Sequence, residues 1–155
     1  MSAQTHAKHN AHSGKEAVIL LVDDDPDYRM LVRDALESLN LPVKVFECVD
    51  GCDGIRFLKR AGSGEETPRP SLVLLDLEMP GADGLEVLAS LRADERYRDL
   101  PVVVMTGVDD DDTERRALDI GASSYTCKVQ DTDDMLRRIE AAAVYWTTVH
   151  RQLSA

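Results

Sequence analysis

The stretch "LLVDDDPDYR", residues 20–29, runs an apolar segment into three consecutive aspartates and a proline. Its apolar part belongs to "AVILLV" (17–22), a continuous branched run that is typical of a strand buried on both faces. Two carboxylates about 4–5 Å apart repel each other by about 3–4 kcal/mol at an effective dielectric constant of ~20. The stretch therefore predicts a buried strand that ends either in a solvated loop or at a site for a cation.

Short apolar runs alternate with helical patterns along the rest of the chain. Further strands are predicted at "PVKVFEC" (42–48), "SLVLLD" (71–76), "LPVVVMTG" (100–107) and "SSYTCK" (123–128). Helices are predicted at 28–40, 54–62, 85–97, 109–121 and 131–153. Five strand–helix repeats indicate an α/β fold with a parallel sheet, helices on both faces and right-handed crossovers.

The helix after the aspartates carries a start signal and an apolar stripe. Asp25 followed by Pro26 predicts an N-cap and a first helical residue. The residues of the stripe, which we expect to face the core, are Met30, Leu31, Ala35, Leu36 and Leu39.

Length and charge narrow the class of protein. The 155 residues, 43% of them hydrophobic, are enough for one domain with a substantial core. A net charge of −11 makes nucleic acids and anionic membranes poor partners. No apolar run approaches the ~20 residues of a membrane span. The start of the chain, "MSAQTHAKHNAHSGKE", lacks the apolar core of a signal peptide, so we expect a cytoplasmic protein.

The first fifteen residues differ in character from the rest. Residues 1–15 are predicted to be a disordered tail, and residues 16–153 a single domain with an extended last helix. Three histidines recur every three residues in the tail, at His6, His9 and His12. A metal-binding helix face is the alternative, but the segment has no apolar partner to fold it.

Polar side chains follow four of the predicted strands. Asp23 and Asp24 follow the first, Asp76 ends the third, Thr106 the fourth and Lys128 the fifth. Ligands of open parallel sheets bind beyond the carboxyl ends of the strands. Clustered carboxylates without histidine or thiolate suit Mg²⁺. A carboxylate can also attack phosphorus, and Mg²⁺ with a lysine would neutralise the transferred group.

The motifs "LLVDDDP", "LVLLDLEMPGADG", "PVVVMTG" and "GASSYTCK" together resemble the receiver domains of bacterial two-component response regulators. The resemblance covers residues 17 to about 150. It implies a flavodoxin-like (βα)5 fold with strand order 2-1-3-4-5 and Mg²⁺ as the cofactor. It also implies that a phosphoryl group comes from the phosphohistidine of a sensor histidine kinase, with no enzymatic turnover beyond self-catalysed phosphotransfer and dephosphorylation.

Carried over by position, the resemblance assigns the metal and acceptor residues. Asp76 resembles the phosphoacceptor and would also bind the metal. Asp24 resembles the direct Mg²⁺ ligand, Asp23 its neighbour acting largely through water, and the backbone carbonyl of Glu78 the last protein ligand. The Glu78 side chain would either tune the lifetime of the phosphate or point to solvent.

The remaining assignments concern the phosphoryl grip and the switch. Thr106 and Lys128 match the pair that holds the phosphoryl group, and Thr106 with Tyr125 matches the switch on the output face. Val129 stands where most receivers have proline after a cis peptide bond, so the chain departs from the family pattern directly after Lys128, and a cis Lys128–Val129 bond stays open.

A narrower resemblance points to the small response regulators that are partnered with bacterial phytochromes. It rests on the lysine without a following proline, on "GSGEETPRP" (62–70) and on "YWTTVH" (145–150). No output domain is expected after the last helix. The output would therefore be a protein contact, a phosphorelay step or phosphate buffering.

The last predicted helix carries an apolar seam. Its members are spaced 4, 3, 4, 3 and 4 residues apart: Met135, Ile139, Ala142, Trp146, Val149 and Leu153. Trp146 and Leu153 are expected to lie beyond what a five-stranded sheet needs to cover. We therefore predict a homodimer with Trp146, Val149 and Leu153 in its interface.

Two rival functions remain at this point. A haloacid-dehalogenase-like phosphatase would use Asp23 as nucleophile and Asp25 as acid/base, but Pro26 follows where a small or hydroxyl residue is expected, and Asp76 would have no role. A receiver-like scaffold would bind partners without phosphorylation, which the complete set of polar strand-end residues argues against. A calcium loop is excluded because its twelfth position is Asp34 instead of glutamate.

Overall fold

The computed structural model describes residues 16–64, 66–79, 81–107, 110–128 and 131–149. The strands are β1 (Ala17–Val22), β2 (Val43–Cys48), β3 (Leu72–Asp76), β4 (Val102–Thr106) and β5 (Ser124–Cys127). The helices are α1 (Pro26–Glu37), α2 (Gly51–Arg60), α3 (Gly84–Ala93), α4 (Asp111–Ile120) and α5 (Thr132–Val144). A 3-10 turn, Glu95–Tyr97, follows α3, and a π-helical turn, Tyr145–Val149, continues α5.

The five strands form one parallel sheet in the order β2-β1-β3-β4-β5, which confirms the predicted topology. Successive side chains of β1 enter two separate cores, because side chains alternate across a strand. Leu20 and Val22 pack with α2, α3 and α4, whereas Ile19 and Leu21 pack with α1 and α5. The central strands are buried on both faces, as their continuous apolar runs predicted.

Helix α1 begins two residues before its apolar pattern indicated. Asp25 caps it by accepting hydrogen bonds from the backbone N–H groups of Asp27, at 3.0 Å, and Tyr28, at 3.4 Å. Pro26 occupies the first helical turn, where its missing N–H has no partner to lose. The predicted cap is therefore confirmed.

The predicted apolar stripe of α1 is wrong for two of its members. Met30 is 48% exposed and Leu31 39% exposed. Val32 and Leu36 are fully buried instead. The apolar residues of this helix fit more than one helical phase, and contact with the sheet selects the phase that contains Val32.

Helix α2 begins at Gly51, three residues earlier than predicted, with Asp50 as its N-cap. Gly51 is buried against the loop that follows β3. A Cβ atom at this position would lie 1.9 Å from the carbonyl oxygen of Ala82. The absence of a side chain therefore allows α2 to approach the loop next to Asp76.

Gly51→Ala is expected to lower the free energy of unfolding by about 2–3 kcal/mol, because the added methyl group displaces backbone that cannot yield as a side chain can. Gly64→Ala is the matched control, since a Cβ there meets no atom within 4 Å. Urea unfolding followed by circular dichroism measures both. A Gly51→Ala midpoint equal to that of the wild type would contradict the close approach.

The end of α5 differs from the predicted single helix over 131–153. Trp146 is partly buried and packs against the core beneath α1 and α5, so the expectation that it lies beyond the sheet is wrong. Its ring meets that of Tyr145 edge to face, with centroids 4.8 Å apart.

The Val149 side chain, Leu153 and the predicted tail 1–15 lie outside the described residues. In the part of the chain that is described, no helix combines the length and apolarity needed to cross a bilayer.

Candidate functional site

Four polar residues meet at the carboxyl edge of the sheet. Asp23 follows β1, Asp76 ends β3, Thr106 ends β4 and Lys128 follows β5. The backbone N–H of Lys128 donates to the Thr106 carbonyl at 2.7 Å, which extends the pairing of β4 and β5 to the site. The structure therefore brings together the strand-end residues that the sequence singled out.

The Lys128 ammonium bridges two buried carboxylates. Its Nζ lies 2.7 Å from Asp23 Oδ2 and 3.3 Å from Asp76 Oδ2. The other oxygen of Asp23 accepts a hydrogen bond from the Asp25 N–H at 2.9 Å. Asp76 Oδ1 accepts one from the Glu78 N–H at 3.1 Å. Both carboxylates are thus held in fixed orientations by backbone donors on one side and by an amine on the other.

Asp24 completes a cluster of three carboxylates. Asp23, Asp24 and Asp76 each offer an oxygen, and these atoms lie within 4.8 Å of one another. Asp23 and Asp76 are buried, while Asp24 is exposed and gives the cluster an opening to solvent. A donor set of oxygens alone, with one open side, fits a hard divalent cation.

Arg29 binds the backbone of the acidic cluster. Its Nη1 donates to the Asp23 carbonyl at 2.7 Å, and its Nε to Glu47 Oε1 at 3.1 Å. Arg33 donates to the other Glu47 oxygen at 2.5 Å, so β2 and α1 are joined beside the cluster. Neither Arg29 nor Tyr28, whose ring contacts Lys128, was predicted from the sequence to be a site residue. Both residues lie in the first helical turn after the Asp25 cap, close to the predicted site, and this position was the feature of the sequence that could have indicated them.

The pKa of Asp76 is raised to about 6, chiefly by burial and to a smaller extent by the neighbouring Asp23 carboxylate. The Lys128 ammonium and the Glu78 N–H act in the opposite direction. Desolvation has the larger effect, so the folded protein binds a proton at Asp76 more tightly than the unfolded chain does.

The stability of the metal-free protein should therefore depend on pH through Asp76. Because the folded-state pKa is raised, its contribution to the free energy of unfolding is present below the ordinary value of 3.8 and is lost as pH rises through about 6. Between about pH 5 and about pH 8, wild type should lose about 1 kcal/mol more than Asp76→Asn, which cannot ionise. Urea unfolding of both proteins in EDTA measures this difference, and parallel pH profiles would contradict it.

The remaining predicted residues surround the carboxylates. Thr106 is fully buried, and Tyr125 is half-buried on β5, packed toward the core beneath α2, α3 and α4. Glu78 is exposed, but its Oε1 lies 3.0 Å from where a Cβ of Gly107 would be, so its carboxylate leans over the end of β4. The Lys128–Val129 peptide bond lies outside the described residues.

Comparison with known proteins gives relatives that match most of the chain. The probable methanogenesis regulatory protein FilR2 of Methanothrix harundinacea is 38% identical over 130 residues, which are 83% of each chain. Response regulator Rcp1 of a Synechocystis species is 31% identical over 134 residues, 86% of this chain and 91% of Rcp1.

Solved structures agree with the sequence relatives. The crystal structure of the phosphorylated cyanobacterial phytochrome response regulator RcpA matches with a TM-score of 0.78 and 27% identity, covering 87% of this chain and 96% of RcpA. The Mn²⁺-bound form of Rcp1 matches with a TM-score of 0.76 and 30% identity, covering 85% and 95%. Residues 19–140 match the model of the response regulator receiver domain. This chain, with its acidic cluster and lysine at the carboxyl edge of a 2-1-3-4-5 sheet, belongs to the response regulator receiver domain family.

Proposed function

We propose that the chain accepts a phosphoryl group on Asp76 from the phosphohistidine of a sensor histidine kinase and passes the signal on by protein contacts or a phosphorelay. The observation that carries this proposal is the pairing of the Lys128 ammonium with Asp76, at 3.3 Å, within a cluster of three carboxylates. A nucleophile and its counter-charge thus lie 3.3 Å apart, in a cluster whose three carboxylate oxygens, within 4.8 Å of one another, offer a place for a cation.

The cation proposed for this cluster is Mg²⁺, since the ligands are all oxygens. Asp24, Asp76 and the Glu78 carbonyl would hold it directly, and Asp23 largely through water. Bound Mg²⁺ supplies positive charge that neutralises the phosphoryl oxygens. The relative Rcp1 has a crystal structure with bound Mn²⁺, so that protein takes up a divalent cation.

The chain's own residues perform the transfer. An Asp76 oxygen attacks the phosphorus, and the phosphorus–nitrogen bond breaks with its electron pair on the histidine nitrogen. That nitrogen takes a proton from water, so the kinase side chain is released as neutral imidazole. Lys128 then balances the charge of the phosphoryl group, and the Thr106 hydroxyl donates to one of its oxygens. No turnover beyond self-catalysed transfer and dephosphorylation is proposed.

The output is proposed to be a change of the α4–β5–α5 face. Thr106 and Tyr125 lie on neighbouring strands of the sheet, β4 and β5, so a shift of the hydroxyl toward phosphate changes the packing around the ring. Bistable packing of this kind couples sites by about 1–3 kcal/mol.

A phytochrome-type histidine kinase is the proposed partner, because RcpA is named a phytochrome response regulator. FilR2 is named for methanogenesis, so a kinase of a different pathway is the second candidate. Phosphotransfer from a panel of purified kinases distinguishes them: the cognate kinase should load the chain within seconds, and the others over much longer times. Preference for a kinase without a phytochrome module would contradict the first assignment.

We also propose that the chain is cytoplasmic and forms a homodimer through the end of its last helix. Val144 is 37% exposed and Tyr145 45% exposed, next to the predicted interface residues Trp146, Val149 and Leu153. Light scattering should give a dimer mass for wild type and a monomer mass for Tyr145→Glu. A monomer mass for wild type at all concentrations would contradict the dimer.

The phosphorylation itself is tested by intact mass after incubation with acetyl phosphate. Wild type with Mg²⁺ should gain the mass of one phosphoryl group, because the acidic cluster then no longer repels the donor. The same mixture with EDTA should give no adduct. An adduct should also be labile to hydroxylamine, as acyl phosphates are. Wild type that stays unmodified in Mg²⁺ and fails to bind beryllium fluoride would favour the scaffold.

A further inference from the structure

Tyr28, in the first turn of α1, is held both at its backbone and at its hydroxyl group. Its backbone N–H donates to the Asp25 cap at 3.4 Å, and Pro26 restricts the backbone just before it. Its hydroxyl contacts the sulfur of Met135 in the first turn of α5. The half-buried ring packs against the core beneath α1 and α5. The plane of the ring is therefore set by two helices.

The face of this ring meets the Lys128 ammonium. Lys128 Nζ lies 3.9 Å from the ring centroid, well within the ~6 Å range of cation–π attraction. The same nitrogen contacts Asp23 at 2.7 Å and Asp76 at 3.3 Å. The ammonium thus lies between an aromatic face and two carboxylates, with only 16% of the lysine side chain exposed.

The Tyr28 side chain remains a neutral phenol while its ring contacts the Lys128 ammonium. Burial raises the pKa of Tyr28 strongly, and the carboxylates of Asp23 and Asp76 raise it further. A phenolate would compete with these carboxylates for the lysine. A neutral ring offers only its negative π face, which attracts the ammonium without displacing it from Asp76.

We propose that Tyr28 is a positioning residue, whose ring holds the Lys128 ammonium beside Asp76 so that the amine is in place when a phosphoryl group arrives. The proposal rests on the proposed phosphorylation of Asp76. Lysine has a flexible four-carbon side chain and a strongly hydrated head, so its ammonium needs a second surface to stay in one place. The carboxylates supply one side of that surface and Tyr28 the other.

The wild-type protein gives a direct test of the contact. In a proton–carbon NMR spectrum, the Lys128 ε-methylene protons should be shifted upfield by the ring current of Tyr28. The exposed Lys44 on β2 provides the reference position. Lys128 ε protons at the same position as those of Lys44 would overturn the proposal, whatever the outcome for phosphorylation.

Variants test the effect on the reaction. Tyr28→Leu removes the ring and should slow phosphorylation by acetyl phosphate about 5–30-fold, the range for loss of a cation–π contact at a partly desolvated site. Tyr28→Phe keeps the ring and should stay within about twofold of wild type. Met30→Leu, two residues along on the exposed face of α1, is the matched control. Titration with Mg²⁺ should give the same affinity in all four proteins, because the Tyr28 hydroxyl is directed at the Met135 sulfur and is not one of the proposed metal ligands.

The outcomes separate the possible failures. A folded Tyr28→Leu that phosphorylates as fast as wild type would overturn the positioning role. Equal slowing in Tyr28→Leu and Tyr28→Phe would assign the effect to the Met135 contact and also overturn it. If wild type forms no adduct, the proposed function fails, and the upfield shift of Lys128 still decides whether the ring holds the lysine. If Tyr28→Leu does not fold, that shift decides alone.

Discussion

We expect Asp76→Asn to take up no phosphoryl group under conditions in which wild type is fully modified. The amide has the shape of the carboxylate and can still accept from the Glu78 N–H, which holds the wild-type oxygen at 3.1 Å. It lacks the nucleophilic oxygen, however, so no acyl phosphate can form. Intact mass spectrometry after incubation with Mg²⁺ and acetyl phosphate gives the result as present or absent.

Asp23→Asn is the informative companion of this variant. Asp23 is fully buried, and the Lys128 ammonium lies closer to it, at 2.7 Å, than to Asp76, at 3.3 Å, so Asp23 is the less accessible nucleophile of the two. Asp23→Asn should therefore still form an adduct, more slowly, because the metal site has lost one charge. An adduct that persists in Asp76→Asn and vanishes in Asp23→Asn would contradict the receiver mechanism and favour a phosphatase with Asp23 as nucleophile.

Lys128→Met should have the second largest effect, and it should act on both stability and rate. Removing the amine leaves the buried carboxylates of Asp23 and Asp76 facing each other without it, which should cost about 3 kcal/mol in metal-free protein. Phosphorylation should slow about 100-fold, as when one preorganised donor to a reacting group is lost.

Two measurements separate these effects. Urea unfolding in EDTA and in Mg²⁺ should show that the cation restores part of the lost free energy of unfolding, since it supplies the missing positive charge. Lys128→Arg keeps the charge on a longer, planar group and should retain most of the stability while losing most of the rate. A Lys128→Met protein as stable as wild type in EDTA would show that the ion pairs contribute nothing to the fold.

The site was predictable from the sequence because its main residues stand at strand ends. The order of the motifs and the parallel topology place Asp23, Asp76, Thr106 and Lys128 at one edge without any knowledge of side-chain contacts. The roles of Tyr28 and Arg29 were not predictable in the same way. Their contacts depend on how α1 is rotated about its axis, and the apolar pattern of α1 was compatible with more than one rotation.

The elements that the sequence misplaced share a long-range cause. Gly51 has poor helix propensity, and its close approach to Ala82 joins segments that are 31 residues apart. A regular α-helix over the whole apolar seam would place Trp146 beyond the sheet. A π-helical turn begins at Tyr145 instead, and the ring of Trp146 packs inward against the core. The local spacing of apolar residues predicts neither the approach of Gly51 to Ala82 nor the π-helical turn at Tyr145.

The cation proposed for the cluster of Asp23, Asp24 and Asp76, whose oxygens lie within 4.8 Å of one another, has an expected consequence for the lifetime of the chain in a cell. A cation that binds the folded chain and not the unfolded one increases the folded population by mass action. Proteases degrade the unfolded fraction, so small changes in that population alter abundance severalfold. We therefore expect occupancy of the acidic cluster by the proposed cation to lengthen the lifetime of the protein, so that a cell short of divalent cations holds fewer copies of it.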